Sequence, residues 1–436
     1  MSRTSLQILS SAPMSFVQIV AIGSAFVLNG LDGFDVLAVT FAAPGMATEW
    51  GASPAALGVV ISAGLAGMGV GSLLISPLAD RYGRRPTILI SLVLMTVGML
   101  LAAAAGSLSL VGIWRFLTGL GIGGMLSTLN AVTAEFANER RRDLAVSLVA
   151  SGFPLGALLG GLVAAELVQI SDWRAIFMFG GVMTALAVPI VWRSIPESIH
   201  YLAESGKPDA LAKINRILER MGHPLSHESP QVVSFRRSSG FRALFGADVR
   251  GPATIMTLSY FLHVMAFYFF AGWLPQLLTG MGFDQSSAIR TAVIFNIGGV
   301  IGGLLFGYIS GPVGLKRLVT CVLVLSALFM FTFSYLPKDL MVIRAGVFIL
   351  GMAIFACVSG LYALFARGFP TNVRVTGTGV AIGIGRVGAV LGPLLGGLLL
   401  SIGLNPGQVT SSIAPLSLVA AVLLIWLKMP PLSEER

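Results

Sequence analysis

Apolar residues occur along the chain in about twelve long runs, separated by short polar stretches. Since roughly 20 apolar residues in a helix cross a hydrocarbon core about 30 Å thick, each run is long enough to span a membrane. The pattern predicts twelve membrane-spanning helices, at residues 17–42, 55–78, 87–105, 109–134, 144–168, 175–193, 252–279, 287–310, 318–336, 341–365, 376–401 and 410–428.

One long polar stretch follows the sixth run and divides the chain into two halves. Its residues 211–221 have the pattern of an amphipathic helix. The fold class predicted is an all-α membrane protein with two six-helix bundles. The predicted organisation is a tail at 1–16, a bundle at 17–193, a linker at 194–250, a second bundle at 251–428 and a tail at 429–436.

The two halves contain similar segments at matching places. A DRYGRR segment follows the second run and a GPVGLKR segment follows the eighth, 231 positions later when Gly83 is matched to Gly314. Arg115 and Arg344, near the starts of the fourth and tenth runs, are 229 positions apart. The similar offsets indicate duplication. Two repeated six-helix halves, with a substrate site between them near mid-bilayer, are a secondary-transporter architecture.

The composition agrees with a membrane protein, because 55% of the residues are hydrophobic and 11% are charged, against about 25% charged in an average soluble domain. The net charge of +9 would suit nucleic acid, but the basic residues are concentrated in alternate short loops. By the positive-inside rule these loops, the linker and both termini are cytoplasmic, so no nucleic-acid partner is expected. The loop residues are Arg81, Arg84, Arg85, Arg140, Arg141, Arg142, Lys316, Arg317, Arg367 and Arg374.

Two carboxylates, Asp32 and Asp35, lie inside the first run. A charge near the bilayer centre costs roughly 2.5–3.5 kcal/mol on insertion scales, so it persists mainly beside a cavity or a partner. Residues three apart share one helix face, and burial next to a like charge favours the protonated form of a carboxyl group. The pair is therefore a candidate proton carrier. The alternative is a structural hydrogen bond to a neighbouring helix.

Arg386 lies about ten residues inside the eleventh run, roughly 15 Å along the helix. A buried guanidinium requires an anion, and its two-pronged geometry suits a substrate carboxylate, with a cation–π contact to an aromatic ring as a second interaction. A permanent internal salt bridge, for example to Asp32 or Asp35, is the alternative.

Polar and aromatic side chains in the seventh and eighth runs are candidates to line the same cavity. Tyrosine and histidine could stack on an aromatic substrate or bind a ring hydroxyl, although such residues are also common in packed membrane helices. The candidates are Tyr260, His263, Tyr268 and Asn296.

These motifs resemble those of a known family. Asp80 to Arg85, Arg115 with its glycine-rich helix, and Gly152-Phe153-Pro154-Leu155-Gly156 resemble signatures of the major facilitator superfamily. Asp32-Gly33-Phe34-Asp35, Pro196-Glu197-Ser198 and Gly385-Arg386 resemble its aromatic acid:proton symporter family. The resemblance implies proton coupling through Asp32 and Asp35. It also implies a role for Arg115 in proton transfer or substrate attraction, with an interhelical bridge as the alternative.

The superfamily resemblance further implies that the loop after the second helix is a latch that controls opening on the cytoplasmic side. Topology determination by its arginines is the other reading, and both are compatible. Ser76 and the second-half Gly311-Pro312 depart from the usual pattern, so the latch is expected to act mainly in the first half. Glu135, at the inner end of the fourth run, is a candidate for a gating salt bridge. The alternative is an ordinary solvated interface pair. The gating candidates are Asp80, Arg81, Gly83, Arg84, Arg85, Glu135, Arg141 and Arg374.

The sequence therefore predicts a monomeric transporter of the bacterial inner membrane that imports a small aromatic acid, of benzoate or hydroxybenzoate type, with protons. No nucleotide-binding loop, metal cluster or catalytic triad is recognisable, so no cofactor and no enzymatic activity are expected. A non-aromatic organic acid or a sugar as substrate, an exporter, and a membrane receptor are the alternatives.

Overall fold

The computed structural model describes residues 5–205, 208–226, 246–369 and 373–427 of the chain. These residues are almost entirely helical, and twelve of their helices are long and apolar enough to cross a membrane. The predicted all-α class with twelve spans is confirmed. In chain order the helices are α1 (Ser5–Ser11), α2 (Phe16–Trp50), α3 (Pro54–Leu74), α4 (Ser76–Tyr82), α5 (Arg84–Ala103), α6 (Leu108–Phe136), α7 (Arg142–Ile170), α8 (Arg174–Ser194), α9 (Ile199–Glu204), α10 (Ala210–Arg220), α11 (Ala247–Gly280), α12 (Gln285–Val313), α13 (Leu315–Thr332), α14 (Leu340–Gly368), α15 (Arg374–Ser401) and α16 (Pro406–Ile425).

The first spanning helix is longer than predicted. The apolar pattern predicts its end at residue 42, but α2 continues through Pro44 to Trp50. Proline removes one backbone donor, here the partner of the Thr40 carbonyl, and a membrane helix tolerates this loss where the surrounding protein compensates for it. In the linker, α10 confirms the amphipathic helix. The predicted tail at 429–436 lies outside the described residues.

Gly83 and Gly314, which align in the repeat, occupy equivalent helix junctions. Gly83 lies between α4 and α5 with φ of 114°, and Gly314 lies between α12 and α13 with φ of 88°. Such φ values favour glycine because it has no Cβ. The shared conformation supports the duplication.

The chain divides into two compact units, and each is described separately. The first unit comprises residues 1–39, 63–163 and 171–235, and the second comprises 40–62, 164–170 and 236–436. The segments 40–62 and 164–170 belong to the second unit, so the compact units and the predicted bundles are different divisions of the chain. The bundle boundaries stay a prediction.

Glycines determine the helix packing within the first unit. A Cβ on Gly33 of α2 would collide with the backbone of Phe153 in α7, and one on Gly156 of α7 would collide with the backbone of Gly30. Helices whose crossing points lack side chains can approach closely. The middle of α2 is therefore enclosed by protein.

In the second unit, α11 packs along α15 and α12 packs along α14. Gly392 of α15 contacts the backbone of Met265, and Gly298 of α12 contacts the backbone of Phe348. The fully buried Trp273 donates its indole N–H to the Pro393 carbonyl at 2.9 Å. These contacts fix the positions of the polar residues on α11 and α15.

Candidate functional site

Asp32 and Asp35 are completely buried in α2, each with 0% exposure. Among the residues that the structure describes, none is a hydrogen-bond partner of their four carboxylate oxygen atoms. An ionised carboxylate that is buried without a partner is strongly disfavoured, so such a group holds a proton or meets a partner in another state. The structural hydrogen bonds considered from the sequence are absent for these four atoms.

Close packing creates this environment. Gly180 of α8 lies against Asp35, since a Cβ added to Gly180 would be 2.8 Å from Asp35 Oδ1. Phe34, between the two aspartates, packs edge-to-face on Phe179 with ring centroids 5.5 Å apart. On the α8 side, the Asp35 carboxylate thus lies against a glycine, next to an aromatic pair.

Arg115 of α6 reaches the same region and is 1% exposed. Its Nη2 donates to the Asp35 main-chain carbonyl at 2.7 Å, and its Nη1 lies 3.2 Å from Met99 Sδ. The guanidinium lies over the Phe177 ring, 5.8 Å from its centroid, and Nε has no hydrogen-bond partner within the described part of the chain. The structure therefore places Arg115 beside Asp35, with donors still available.

Arg386 in α15 has a different environment, formed by tyrosines. Its guanidinium interacts with the Tyr268 hydroxyl, and the hydroxyls of Tyr260 and Tyr362 are close enough to act on its charge. Tyr260 and Tyr362 share a hydrogen bond of 3.0 Å between their hydroxyls. Among the ion pairs of the described residues, none includes Arg386. The Arg386 guanidinium therefore lies beside a cluster of tyrosine side chains.

Aromatic rings continue from this cluster. Phe267 packs edge-to-face on Tyr268 and on Phe355, with centroids 5.0 Å and 4.9 Å apart. Gly385 lets the Tyr260 ring lie next to Arg386, because a Cβ at Gly385 would collide with that ring. The arrangement offers a cation, hydroxyl groups and ring edges to a ligand.

Tyr362 also belongs to this cluster, although the sequence did not single it out as a candidate. It lies in α14, 102 positions from its partner Tyr260, and no motif surrounds it. The only available signal was a polar-tipped ring inside an apolar helix, and it was too general to select this residue.

The structure gives His263 and Asn296 other partners. His263 is fully buried, with Nε2 3.0 Å from the Ile354 carbonyl and Nδ1 3.0 Å from the Ser417 hydroxyl. A carbonyl only accepts, so Nε2–H donates to Ile354, and in the neutral ring Nδ1 accepts from Ser417. Asn296 Nδ2 donates to Ala292 in its own helix at 2.9 Å. Both ring nitrogens of His263 thus join helices together.

Replacing His263 with alanine is expected to lower the free energy of unfolding by about 1–3 kcal/mol, because the Ile354 carbonyl and the Ser417 hydroxyl would lose their partner in the core. KM for substrate should stay unchanged. Thermal unfolding in detergent and uptake kinetics measure the two effects. His223→Ala is the control, since the His223 side chain makes one hydrogen bond, from Nε2 to Gln18 Oε1 at 3.2 Å, in the described part of the chain. A large rise in KM with unchanged stability would instead identify His263 as a ligand.

The gating candidates form a network in the first unit around Arg84. Arg84 Nη1 lies 2.9 Å from Asp80 Oδ1, and Nη2 lies 3.0 Å from Glu135 Oε1. Glu135 is thus paired with Arg84, and the basic run 140–142 that follows it in sequence does not supply this partner. The partner of Asp80 is thus a basic side chain four residues later in the chain.

The remaining gating candidates make backbone or ring contacts. Arg85 lies over the Trp192 ring at 4.7 Å and donates to the Trp192 carbonyl. Arg81 lies over Tyr82 at 5.3 Å. The Arg141 backbone N–H donates to the Asn138 side chain at 3.1 Å. Arg374 Nε donates to the Phe369 carbonyl at 3.3 Å.

Glu197 belongs to the Arg84 network, although the sequence analysis noted it only within a motif. Its Oε1 accepts from the backbone N–H groups of Arg84 at 2.8 Å and Ser198 at 2.9 Å. Burial raises the pKa of Glu197, while the bonds from Ser198, Arg85 and Arg84 and the charge of Arg84 oppose that rise. Gly83 is required here, because a Cβ would collide with the Glu197 carboxylate.

Glu197→Gln is expected to remove one pH-dependent contribution to stability. A carboxyl whose pKa folding raises above 4.5 stabilises the fold fully below that pH and loses this contribution as pH rises through the raised value. As the pH is raised from 4, the midpoint temperature of thermal unfolding should therefore fall more steeply in the wild type than in the variant. Asp284→Asn is the control. The Ser287 backbone N–H lowers the Asp284 pKa, so this carboxyl contributes stability that increases with pH, and its removal should have the opposite effect on the pH dependence. Parallel curves for wild type and Glu197→Gln would contradict the prediction.

Among the described residues, no group of three or more His, Cys, Asp or Glu side chains is placed to hold a metal ion.

Comparison with known proteins gives consistent results. A family model described as Major Facilitator Superfamily matches residues 25–393. The gallate transporter of Pseudomonas putida is 30% identical to this chain, over 91% of this chain and 89% of that protein. The 4-hydroxybenzoate transporter PcaK of Pseudomonas aeruginosa is 30% identical, over 96% of this chain and 94% of that protein. The inward open structure of the xylose transporter XylE from E. coli has a TM-score of 0.74 at 18% identity, covering 95% of this chain and 96% of that one. This last likeness concerns the fold.

Proposed function

The chain belongs to the major facilitator superfamily, and on that premise we propose that it imports a small aromatic carboxylate, of benzoate or hydroxybenzoate type, together with protons. The named functions of the gallate and 4-hydroxybenzoate transporters support an aromatic acid as substrate. Import proceeds by alternating access of a central site to the two sides of the membrane.

The observation that carries the proposal is the environment of Arg386. This guanidinium lies in a membrane-spanning helix beside tyrosine side chains, and no ion pair among the described residues includes it, so its charge can bind an anionic ligand. A carboxylate can accept two parallel N–H bonds from arginine, which fixes its orientation. Tyr268 and Tyr362 add hydroxyls that could bond the same carboxylate or a ring hydroxyl.

The aromatic half of the substrate would contact the rings beside Arg386. Edge-to-face packing, which Phe267 already makes with Tyr268 and Phe355, stabilises an aromatic pair by about 0.5–1.5 kcal/mol beyond its buried area. A flat aromatic ring fits such surroundings better than a sugar, whose hydroxyls need many hydrogen-bond partners.

The buried carboxylates Asp32 and Asp35 supply proton coupling in this proposal. Their oxygen atoms have no hydrogen-bond partner among the described residues, so a bound proton is the simplest way to remove the cost of a buried charge. Movement between two states that expose the pair to opposite sides would then carry the proton along its gradient.

The Arg84 network is proposed as the latch on the cytoplasmic side. It joins α4, α5 and α6 to the segment before α9 through Asp80, Glu135 and Glu197. A group of coupled ion pairs can have two discrete arrangements, as a gate requires. The proposal includes a monomer in the bacterial inner membrane with both termini cytoplasmic.

Uptake of labelled 4-hydroxybenzoate into proteoliposomes tests the proposal. With an acidic exterior, we expect accumulation above the level reached without a pH gradient. Protein-free liposomes under the same gradient are an essential control, because the protonated acid crosses lipid unaided. Unlabelled benzoate and gallate should compete, and xylose and succinate should not. Accumulation of xylose or succinate would reassign the substrate, and binding without transport would indicate a receptor.

A further inference from the structure

The two halves of the chain repeat one contact between a basic side chain and the end of a spanning helix. In each half the basic residue, Arg85 or Lys316, comes two positions after the glycine of the helix junction. Arg85 Nη2 donates to the Trp192 carbonyl in the last turn of α8. Lys316 Nζ donates to the carbonyls of Ile425 at 2.9 Å and Leu427 at 2.7 Å, where α16 ends. The sixth and twelfth spanning helices therefore end in the same construction.

Each contact lies beside an exposed tryptophan. Trp192 is 65% exposed, and the Arg85 guanidinium lies over its ring, 4.7 Å from the centroid. Trp426, between the two residues whose carbonyls bind Lys316, is 66% exposed. Exposed tryptophan is typical of the interface between the hydrocarbon core and the lipid headgroups. In the proposed topology, both cations therefore lie at the headgroup level of the cytoplasmic leaflet.

Both cations keep positive charge and donors for a further ligand. The carbonyls accept from one of the five N–H groups of the Arg85 side chain and from two of the three of Lys316. Among the ion pairs of the described residues, none includes Arg85 or Lys316. Exposed Arg193 and Arg317 add charge next to the two sites. Capping of a helix C-terminus explains the carbonyl contacts, but it supplies no anion for the excess charge.

An apolar surface leads up to each tryptophan. In both helices exposed apolar side chains recur three or four positions apart, which places them on one helix face. They are Val182, Leu186 and Ile190 in α8, and Leu418, Val422 and Ile425 in α16. In a membrane such a face contacts acyl chains, which are as apolar as leucine. Each half thus presents a cation at the headgroup level and an apolar strip that continues into the hydrocarbon core.

We propose that each half binds one anionic phospholipid of the cytoplasmic leaflet, with the lipid phosphate against Arg85 or Lys316 and the acyl chains along α8 or α16. Arginine bonds phosphate through two parallel N–H groups, and lysine binds it as a point charge. A zwitterionic lipid carries its own cation and would leave the excess positive charge uncompensated. The occurrence of the same construction in both halves favours a selected site over a chance surface contact.

Native mass spectrometry of the full chain, purified in detergent with added phosphatidylglycerol, tests the proposal by counting bound lipids. We expect two phosphatidylglycerol molecules on the wild type, one on Arg85→Gln or Lys316→Gln, and none on the double variant. Arg85→Lys should retain both lipids, because it keeps the charge. Arg290→Gln is the matched control, since it removes the same charge at the opposite end of a spanning helix in the proposed topology, and it should retain two.

Thermal unfolding of the wild type gives a second readout that needs no variant. Phosphatidylglycerol should raise the midpoint temperature by at least about 2 °C more than phosphatidylcholine with the same acyl chains, because a ligand that binds only the folded state stabilises it. Inorganic phosphate at the same concentration should leave the midpoint unchanged, since it has no acyl chains to bind the apolar strips. In the double variant the two lipids should have equal effects, although loss of the helix caps lowers the midpoint itself.

Several outcomes would overturn the proposal. Retention of two phosphatidylglycerol molecules by the double variant would place the lipids elsewhere, and loss of a lipid from Arg85→Lys would contradict binding through charge. Equal stabilisation of the wild type by the two lipids would remove the preference for an anionic headgroup. Stabilisation by inorganic phosphate equal to that by phosphatidylglycerol would identify a free-anion site. None of these measurements involves transport, so they can fail while the proposed function stands.

Discussion

Replacing Arg386 with glutamine is expected to lower kcat/KM for aromatic acid uptake by about 100-fold, since loss of one partner of a desolvated charge pair costs about 2–5 kcal/mol. The effect should appear mainly as a higher KM, because the carboxylate would lose its cation in the bound state. Arg386→Lys keeps the charge but not the two parallel N–H donors, so we expect an intermediate loss of about tenfold. Initial rates of labelled 4-hydroxybenzoate uptake, measured over a range of concentrations, provide these values.

Arg290→Gln is the matched control in the same unit. Arg290 pairs with Glu166 at 2.5 Å, and both side chains are largely exposed, at 45% and 65%. Exposed ion pairs contribute about 0–1 kcal/mol, so kcat/KM should change by no more than about fivefold. A wild-type KM in Arg386→Gln would show that the substrate carboxylate binds elsewhere.

The spanning helices could be predicted from the sequence because the membrane imposes a single strong requirement. Each span needs a long apolar run, and such runs are visible without knowledge of packing. The end of α2 was less accessible. The predicted end at residue 42 follows the apolar run, and only the structure reveals that the helix continues through Pro44 to Trp50.

The candidate site was predictable where a polar residue is costly in lipid. Asp32, Asp35, Arg115 and Arg386 stand out for that reason, and the resemblance to a known family added to their interpretation. The residues that contact them could not be predicted from the sequence, because they belong to helices that are distant along the chain. Arg115 contacts a main-chain carbonyl 80 positions away, and Tyr362 joins a tyrosine 102 positions away. Backbone carbonyls carry no sequence signal.

Glu135 illustrates the same limit on the cytoplasmic side. The basic residues 140–142 are its neighbours in sequence, yet Arg84 of α5 binds it. The last turn of α6 lies beside the first turn of α5, so the packing of these two helices brings Glu135 and Arg84 together. Sequence proximity is informative within a helix, where residues three or four apart meet, and loses that value across a turn.

Replacing Gly33 with alanine is expected to lower the free energy of unfolding by at least about 1–3 kcal/mol, because a Cβ there has no space against the Phe153 backbone and α2 must move away from α7. Backbone atoms cannot move aside as a flexible side chain does. The shift would also displace Asp32 and Asp35, whose environment depends on this close approach, so proton-driven uptake should fall with stability.

Gly23→Ala on the same helix is the matched control, since a Cβ there meets nothing within 4 Å. That change should be neutral or stabilise by up to about 1 kcal/mol, through the better helix propensity of alanine. Thermal unfolding in detergent and uptake in proteoliposomes measure both variants. Equal stability and equal uptake in the two would show that α2 and α7 do not pack through Gly33, and the enclosed position of the two carboxylates would then lose its structural basis.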